Sequence, residues 1–516
     1  MEWWRCWVAL LLAAWAVGCA SLPANDPHPP SQAFAAPEQT ALGQFVQQRR
    51  AQDHARSDSG FALLSGVAPA YDTRVSLIRE AQKTIDLQYY AIHADGSTEV
   101  LLEELRHAAQ RGVRVRVLLD DLNTVGKDAQ VLRLAFEPNI QMRLFNPLSG
   151  PRDSLVGHIV ASALDAGRIA KRMHNKLFIV DSAVGITGGR NLGDAYFGGE
   201  GKSNFVDLDV LAVGRIVRDM SASFDRYWNN DLAYPVQTLV KPAELDKLSA
   251  MPNGTPPPPA RPDIGKFDWR TVRLIWAPSV LLQDEPGKIG PDDDEVNAGD
   301  TVIDGLLNVM EGAKRDVLID SAYFVPGKEM MERFKGLRER GVRVRVLTNS
   351  LASNDAPAAH AGYERYRKDL LALGVELHEM RADQPAGGSG GNTGLGSGGG
   401  GSKGSAARAS LHSKAVVIDG RLTVIGSMNL DLRSRSKNSE VGLVLRSSAF
   451  ARAVTQQVEG MIAHGAYRLE LEGGHHIVWR APPGAPFKDG TNEPGASLKQ
   501  RALAAAIAPF APDEML

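Results

Sequence analysis

The chain is predicted to fold as an α/β protein with two similar halves, packed as a pseudo-twofold pair around one active site. Two repeated segments support this. HNKLFIVDSAVGITGGRN at 174–191 matches HSKAVVIDGRLTVIGSMN at 412–429, and RGVRVRVL occurs at both 111–118 and 340–347. The order of the repeats is the same in both halves and their separations are nearly equal, so the halves are collinear copies. Each is expected to be an αβα domain.

Each half begins with a strand, a helix and a second strand. Strand-like runs at Thr84–Ala91 and Asp316–Phe324 precede helix-like segments at 97–110 and 327–339, and the RVRV runs follow. This order is typical of βαβ units and predicts a largely parallel sheet. The alternating arginines could form a basic face for nucleic acid. They are better explained as one face of an edge-exposed strand.

The longer repeat predicts a β-hairpin in each half. LFIV and AVVI are rich in β-branched residues and bounded by turn residues, which indicates buried strands, and VGIT and LTVI are their return strands. A loop of two residues, 182–183 or 420–421, would place His174 opposite Asn191 and His412 opposite Asn429. Residues i and i+2 of a strand share a face, so the lysine in each His-x-Lys should project beside its histidine.

Each hairpin therefore brings an imidazole, an ammonium and an amide to one place. The polar residues at equal offsets are His174, Lys176, Asp181 and Asn191 in the first copy, and His412, Lys414, Asp419 and Asn429 in the second. Such a set suits a phosphodiester. Lysines and asparagines can hold the non-bridging oxygens, with the backbone amides of the glycine turns as further donors.

The two histidines can divide the chemistry of phosphodiester exchange. One imidazole attacks phosphorus and the other protonates the leaving oxygen, so the reaction passes through a phosphohistidine. No metal ion or other cofactor is expected. The alternative is a pair of structural hairpins whose histidines are ordinary core residues. One His-x-Lys-x4-Asp would be a weak signal, but two copies with the same asparagine offset disfavour that alternative.

The paired HxKxxxxD motifs, followed by GGRN and GSMN, resemble those of the phospholipase D superfamily. Four further segments are similar to bacterial cardiolipin synthases of the C type: GGRNLGDAYF (188–197), FVDLDV (205–210), SLASNDAPAAHAGYERYRKDLLALGVEL (350–377) and GSMNLDLRSRSKNSEVG (426–442). The similarity covers residues 59–500.

The resemblance implies roles for particular residues. His174 would be the nucleophile and His412 the acid and then the base. Asp207 and Glu440 would be the carboxylates paired to the histidines, fixing their tautomer and orientation. Asp181 and Asp419 complete the catalytic signature of the family. Their places at strand-end turns indicate instead a structural role, holding the loop and the lysine.

Composition divides the chain into segments. They are a lipoprotein-like signal peptide at 1–18, a tether at 19–58, a first domain at 59–240, a Pro-rich linker at 241–270, a second domain at 271–466 with a Gly/Ser-rich insert at 387–405, and a C-terminal extension at 467–516. The insert has the composition of a disordered segment.

The amino terminus predicts export. Residues 3–18 form an apolar run that is short for a membrane span, and AVGC resembles the lipobox of bacterial lipoproteins. Cys19 would then be lipidated as the first mature residue, although Ala16 departs from the usual leucine. Ala20 implies, by the same resemblance, the outer membrane, with the protein facing the periplasm. A plain signal peptide or an uncleaved anchor are the alternatives.

Charge narrows the class of substrate. Lys and Arg total 58 against 60 Asp and Glu, so the chain lacks the broad positive field of nucleic-acid binders. We expect a membrane-associated phosphatidyltransferase of the cardiolipin synthase type, acting on phosphatidylglycerol or phosphatidylethanolamine, and no nucleic-acid partner. The alternatives are a phospholipase D that releases phosphatidic acid and a metal-independent envelope nuclease. A non-catalytic envelope lipoprotein is disfavoured because both hairpins retain every reactive residue.

Overall fold

The computed structural model describes residues 22–25, 29–150, 152–153, 155–161, 166–198, 203–249, 267–290, 301–383 and 408–509. The signal peptide, Cys19 and the insert at 387–405 lie outside these ranges. No helix within the described ranges is both long enough and apolar enough to cross a bilayer.

Within the described ranges, the first half contains eleven strands. They are β1 (Ser59–Leu64), β2 (Thr84–Tyr89), β3 (Arg114–Asp120), β4 (Ile140–Phe145), β5 (Arg172–Met173), β6 (Leu177–Val180), β7 (Val184–Gly188), β8 (Ser203–Val206), β9 (Asp209–Gly214), β10 (Ala233–Pro235) and β11 (Ile275–Trp276). Its α-helices are α1 (Ala41–Gln52), α2 (Val67–Glu80), α3 (Gly96–Gln110), α4 (Leu155–Ala161), α5 (Ala166–Ala170), α6 (Asp194–Phe197), α7 (Arg215–Trp228), α8 (Val236–Leu239) and α9 (Pro242–Ser249).

The second half repeats the arrangement. Its strands are β12 (Ser279–Gln283), β13 (Asp316–Ser321), β14 (Arg343–Asn349), β15 (Glu376–Met380), β16 (Arg408–Leu411), β17 (Lys414–Ile418), β18 (Leu422–Gly426), β19 (Asn438–Ser439), β20 (Val441–Arg446), β21 (Ala466–Glu472) and β22 (His476–Arg480). Its α-helices are α10 (Val302–Glu311), α11 (Gly327–Glu339), α12 (Pro357–Ala372), α13 (Leu432–Ser436), α14 (Ser448–Gly465) and α15 (Leu498–Ile507). Short 3₁₀ helices lie at Pro37–Gln39, Gly126–Phe136, Trp269–Thr271 and Pro286–Ile289.

Among the residues that the structure describes, each half has one sheet of nine strands, in the orders β10-β4-β3-β2-β6-β7-β9-β1-β11 and β12-β20-β18-β17-β13-β14-β15-β21-β22. Parallel pairing joins β2, β3 and β4 in the first sheet and β13, β14 and β15 in the second. The other neighbours are antiparallel. The prediction of a largely parallel sheet is therefore wrong. The βαβ units supply three strands per sheet, and hairpin-type connections supply most of the others.

The RVRV strands are interior, and the predicted edge position is wrong for both. β3 lies between β2 and β4, and β14 lies between β13 and β15. Arg116 is buried and pairs with Asp86 at 2.7 Å and with Asp225 at 2.8 Å. Arg345 pairs with Asp316 at 2.9 Å. These arginines are engaged in ion pairs inside the fold, so they do not form a face for nucleic acid.

The two halves share one core. Helices α7 and α14 pack between the sheets, because α7 contacts β6, β9 and β12, and α14 contacts β1, β17 and β18. The apolar cluster around them takes residues from both sheets, including Ile179, Ala212, Val417 and Leu443. Separate clusters cover the outer face of each sheet. Burial of this common layer fixes the halves relative to each other.

Several elements cross the boundaries expected from composition. β11, at 275–276, pairs with β1 of the first sheet, although it was assigned to the second domain. β21 and β22, from the expected C-terminal extension, complete the second sheet. The tether contains α1, and α9 lies within the expected linker.

Candidate active site

Each histidine is held against a strand from the other half of the molecule. β5, just before His174, pairs with β19, and β16, just before His412, pairs with β8. The His174 backbone N–H donates to the Ser439 carbonyl at 2.9 Å, and the His412 N–H donates to the Val206 carbonyl at 2.8 Å. The two halves are thus joined by backbone pairing at the site itself.

The same crossing brings each histidine to a carboxylate of the other half. His174 Nδ1 lies 3.0 Å from Glu440 Oε2, and His412 Nδ1 lies 2.7 Å from Asp207 Oδ2. Both carboxylates are 0% exposed. A carboxylate at this distance accepts the Nδ1 hydrogen, which leaves Nε2 of each ring with its lone pair available.

The carboxylates are supported differently in the two halves. Glu440 accepts hydrogen bonds from the Ser427 hydroxyl at 2.5 Å and from the Ser434 hydroxyl at 2.9 Å. At the equivalent of Ser427 the first half has Gly189, where a Cβ atom would come within 2.2 Å of Asp207 Oδ1. The GGRN and GSMN segments therefore differ at a position that contacts the carboxylate directly.

The lysines lie under the histidines, on the side of their carbonyl oxygens. Lys176 Nζ donates to the His174 carbonyl at 2.8 Å, and Lys414 Nζ donates to the His412 carbonyl. Both side chains are buried, and burial lowers the pKa of Lys176 to about 7 and lowers the pKa of Lys414. A bound phosphate would supply a negatively charged partner for these buried groups and so favour their ammonium forms.

Burial also sets the charge of the histidines. Together with Lys176 and Lys414, it lowers the pKa of His174 well below its usual value. Burial and Lys414 lower the pKa of His412, although Asp207 acts in the opposite direction. Both imidazoles are therefore neutral at pH 7 in the free protein. Burial raises the pKa of Glu440, whereas His412 lowers that of Asp207 against the effect of burial.

The side chains of the two asparagines have different hydrogen-bond environments in the site. Asn191 donates from Nδ2 to the Tyr196 hydroxyl at 3.0 Å, and the Tyr196 ring centroid lies 5.2 Å from that of His412. The side-chain oxygen of Asn429 is buried and has no hydrogen-bond partner within the described residues. This oxygen could therefore accept a hydrogen bond from a ligand.

The hairpin loops contain three residues, so the predicted register is wrong by one. Val180 pairs with Val184, and Ile418 pairs with Leu422. The Ala183 N–H donates to the Val180 carbonyl at 3.0 Å, across a turn whose central residues, Asp181 and Ser182, both have φ of 52°. Ala183 is an additional residue after this left-handed turn. His174 and Asn191 consequently do not face each other.

The aspartates of the two motifs lie apart from the histidines and lysines. Asp181 accepts from the backbone N–H groups of residues 82–84, at 2.7 Å for Lys83 and 2.9 Å for Thr84. Asp419 accepts from 314–316 in the same way, at 2.7 Å for Arg315. Each is at the far end of its strand from the lysine. Asp181 and Asp419 therefore hold the connecting loops. They do not hold the lysines, and they do not lie where they could bind a substrate.

At two positions the backbone N–H groups that were expected to bind phosphate at the glycine turns are already bonded within the protein. The Gly189 N–H donates to the Leu208 carbonyl at 3.3 Å, and the Ser427 N–H donates to the Val441 carbonyl at 2.9 Å. These amides hold the neighbouring chain in each half. They cannot bind phosphate at the same time.

One positioning pair was missed by sequence reasoning. Asp120 Oδ2 accepts from the Met173 N–H at 2.8 Å, and Asn349 Oδ1 accepts from the Leu411 N–H at 2.9 Å. Each bond anchors the residue just before one of the two histidines of the candidate site. Asp120 and Asn349 occupy the same place in the RVRVL repeats, so their equivalence was a signal available in the sequence.

Aromatic residues enclose the histidines, and these too were missed. The ring centroid of Tyr90 lies 5.1 Å from that of His174, and that of Phe205 lies 4.9 Å from that of His412. Arg433 is close enough to contribute to the lowered pKa of His174. Such walls limit the access of water to the reacting atoms. No cluster of His, Cys, Asp and Glu suited to a metal ion occurs in the part of the chain that the structure describes.

A doubled His–Lys site, formed where short strands of two α/β halves pair with each other, is the arrangement of a phospholipase D-like enzyme. The comparison with family models agrees. Residues 75–228 and 306–462 match the model described as "Cardiolipin synthase, PLD-like domain". The chain belongs to this phospholipase D-like family of enzymes.

Individual relatives are consistent with that membership. The chain is 36% identical to cardiolipin synthase C of Escherichia coli (strain K12) over 80% of this chain and 86% of that protein. It is 24% identical to cardiolipin synthase 2 of Staphylococcus epidermidis over 78% of this chain and 67% of that protein. The crystal structure of phosphatidylserine synthase from Haemophilus influenzae Rd KW20 has the same fold, with a TM-score of 0.58 at 14% identity, covering 91% of this chain and 100% of that chain.

Proposed function

We propose that the protein is a phosphatidyltransferase of the cardiolipin synthase type that works through a covalent phosphohistidine. The observation that carries the proposal is the crossing of the half-sites, in which each buried histidine takes its carboxylate partner from the other half. Such a site is complete only when both halves are present. It provides two imidazoles with different partners for the two steps of a phosphoryl exchange.

In the first step Nε2 of His174 attacks the phosphorus of a phospholipid. A P–N bond forms, the P–O bond to the departing alcohol breaks, and His412 gives its proton to that oxygen. In the second step His412 takes the proton of an acceptor hydroxyl, whose oxygen attacks phosphorus and releases His174. Lys176, Lys414, Asn191 and Asn429 hold the non-bridging oxygens. A bound phosphodiester anion favours the protonated form of His412 that the first step requires.

The assignment of the nucleophile comes from the family resemblance, and two features of the site support it. The pKa of His174 lies well below its usual value, which keeps this ring neutral and reactive. His412 has the shorter carboxylate contact, 2.7 Å to Asp207 against 3.0 Å for His174 and Glu440. A close carboxylate stabilises an imidazolium, as the proton carrier requires.

Transfer is favoured over hydrolysis by the enclosure of the histidines and by the synthase activities for which the relatives are named. His174 is 8% and His412 is 6% exposed, and aromatic rings pack against both. A phospholipase D activity is the second candidate, since both reactions share one intermediate and differ only in the acceptor. The near-neutral charge of the chain disfavours a nuclease.

Product analysis distinguishes these activities. Vesicles of defined phosphatidylglycerol and phosphatidylethanolamine are incubated with the protein, and the lipids are identified by mass spectrometry. Cardiolipin supports the transferase and phosphatidic acid alone refutes it. His174→Ala and His412→Ala should each abolish turnover, while His464→Ala, at an exposed position on α14, should not. Alkaline quench and peptide mass spectrometry should find the phosphatidyl adduct on the peptide that contains His174.

We further propose that Cys19 carries the lipid anchor of an outer-membrane lipoprotein that faces the periplasm. Support comes from the AVGC segment and the apolar leader. More than one acyl chain on the cysteine would give stable attachment. Replacing the leader by a cleavable signal and Cys19 by Ser should release the protein into the soluble periplasm. Membrane fractionation that does not change would refute the anchor.

A further inference from the structure

A cavity of about 540 Å³ lies at the edge of the first sheet, away from the histidines. Its walls are the segment Pro29–Gln32, the start of β3, the strand β4, and the residues Pro235 and Gln237. Arg114 and Arg143 line it, and none of the described residues in its walls carries a carboxylate. Arg114 stands at the opposite end of β3 from Asp120, which places the cavity roughly 20 Å along the strand from the active site.

The two arginines are poorly neutralised. Nε and Nη2 of Arg114 are buried and have no hydrogen-bond partner within the described ranges. Arg143 is 9% exposed, and its Nη1 donates to the Trp228 carbonyl at 2.5 Å while its guanidinium lies 4.5 Å from the Trp228 ring. The nearby acids Asp86 and Asp225 are already paired with Arg116.

The pKa values of both arginines reflect this environment. Burial and the charge of Arg116 lower the pKa of Arg143 to about 10. Burial and Arg116 also lower the pKa of Arg114, against weaker opposing effects of Asp86 and Asp225. Neither guanidinium has a carboxylate partner of its own among the described residues, so the burial of both cations carries a free-energy cost that Trp228 offsets only in part at Arg143. An anion bound there would remove that cost.

The second half provides an internal comparison. The position of Arg114 is taken there by Arg343, which forms two hydrogen bonds to Glu376, at 2.6 and 2.7 Å. β4 has Gln141 where β15 has Glu376, because Gln141 pairs with Arg116 as Glu376 pairs with Arg345. Two residues further on, Arg143 stands in place of His378. Compared with the second half, the first half therefore has one carboxylate fewer and one guanidinium more on the same face.

We propose that this cavity is a phosphate-binding site, in which Arg114 and Arg143 hold a phosphate group at the edge of the first sheet. Guanidinium groups match the oxygens of a phosphate in charge and geometry. The volume is sufficient for a phosphate together with a polar headgroup. The inference stands on the charge arrangement of the cavity and does not depend on the proposed transferase activity.

One wall of the cavity is firmly attached to the fold. The Ser31 carbonyl accepts from Arg116 Nη1 at 2.8 Å, and the Ser31 N–H donates to Asn229 at 2.9 Å. This wall is the chain segment that leads from Cys19 into the fold. The position favours the headgroup of an anionic phospholipid as the source of the phosphate, and free phosphate is the other source of the same chemistry.

The test is a calorimetric titration of the full chain with inorganic phosphate and, separately, with monomeric dihexanoyl-phosphatidylglycerol. We expect two binding events in the unaltered protein, one at the histidines and one at the cavity. Gln141→Glu gives Arg114 the partner that Arg343 already has. Because Gln141 is exposed, the variant should fold, and its second binding event should weaken at least about tenfold. Arg114→Gln should have the same effect, and the matched Arg343→Gln should not.

The two ligands identify the source. Binding of the phospholipid at the second site supports a lipid headgroup, and binding of inorganic phosphate alone supports a soluble phosphate. The proposal is overturned if a single binding event is found, or if Gln141→Glu and Arg114→Gln both leave the second event unchanged. Turnover of the same variants on a short-chain lipid should equal that of the unaltered protein, so a failure of this site is distinguishable from a failure of the proposed transferase activity.

Discussion

The pairing of His174 with Glu440 makes a quantitative prediction. Glu440→Gln keeps the size of the side chain and one of the two oxygens that accept from Ser427 and Ser434, but it removes the negative charge 3.0 Å from Nδ1. In the proposed first step His174 would become positively charged as it bonds to phosphorus. The variant therefore loses stabilisation of that charge, with little change in packing.

The size of the loss follows from the geometry. For charge centres about 4 Å apart at an effective dielectric constant of about 20, the attraction is about 4 kcal/mol. A loss of that size lowers the rate about 10³-fold. The amide can also present its NH₂ group to Nδ1 and select the wrong tautomer, which would lower the rate further.

The assay is single-turnover formation of the phosphatidyl adduct, quenched rapidly and followed by mass spectrometry. Glu459→Gln is the matched control, since Glu459 is 51% exposed and its carboxylate pairs with Arg345 at 2.8 Å, away from the histidines. We expect the control to react at the normal rate. A Glu440→Gln variant that folds normally and reacts within tenfold of the unaltered protein would refute the orienting role of Glu440.

Three further predictions follow from the site. Burial lowers the pKa of Lys176 to about 7, so its ammonium group is lost as the pH rises through 7. The value of kcat/KM should therefore fall on the alkaline side. In pH–rate profiles, the Lys176→Met variant should lack this alkaline fall. Activity should be unaffected by EDTA, since two lysines supply the charge that a metal would bring, and a loss of activity restored by one divalent ion would contradict this. Asp181→Ala removes the acceptor of three backbone N–H groups, of which that of Thr84 is buried and the other two are partly buried, and should cost about 1–3 kcal/mol in the free energy of unfolding, with turnover of the folded protein within a few-fold of normal. Asp419→Ala, at a more exposed turn, should cost less in denaturant unfolding, and equal costs would contradict the role of burial.

The sequence located many of the strands and helices of this protein and the two hairpins that carry the candidate site. The repeats at 174–191 and 412–429 located both hairpins, and their strands fall where the β-branched runs predicted. The βαβ units at 84–120 and 316–349 were likewise visible. These features are local. The apolar residues of a strand and the turn residues at its ends lie within a few positions of each other in the sequence. The polar side chains of the candidate site could be named for the same reason.

Only the tertiary structure decided how those side chains are combined. Glu440 meets His174 and Asp207 meets His412 because strands from opposite halves pair at the site, between residues more than two hundred positions apart in the chain. The three-residue loops that shift the hairpin register depend on left-handed backbone at Asp181 and Asp419, which the two-residue expectation did not include. The unpaired charges of Arg114 and Arg143 appear only when Gln141 is set beside its counterpart Glu376. No local pattern encodes such pairings, because they arise when the common core brings distant segments together and excludes water from them.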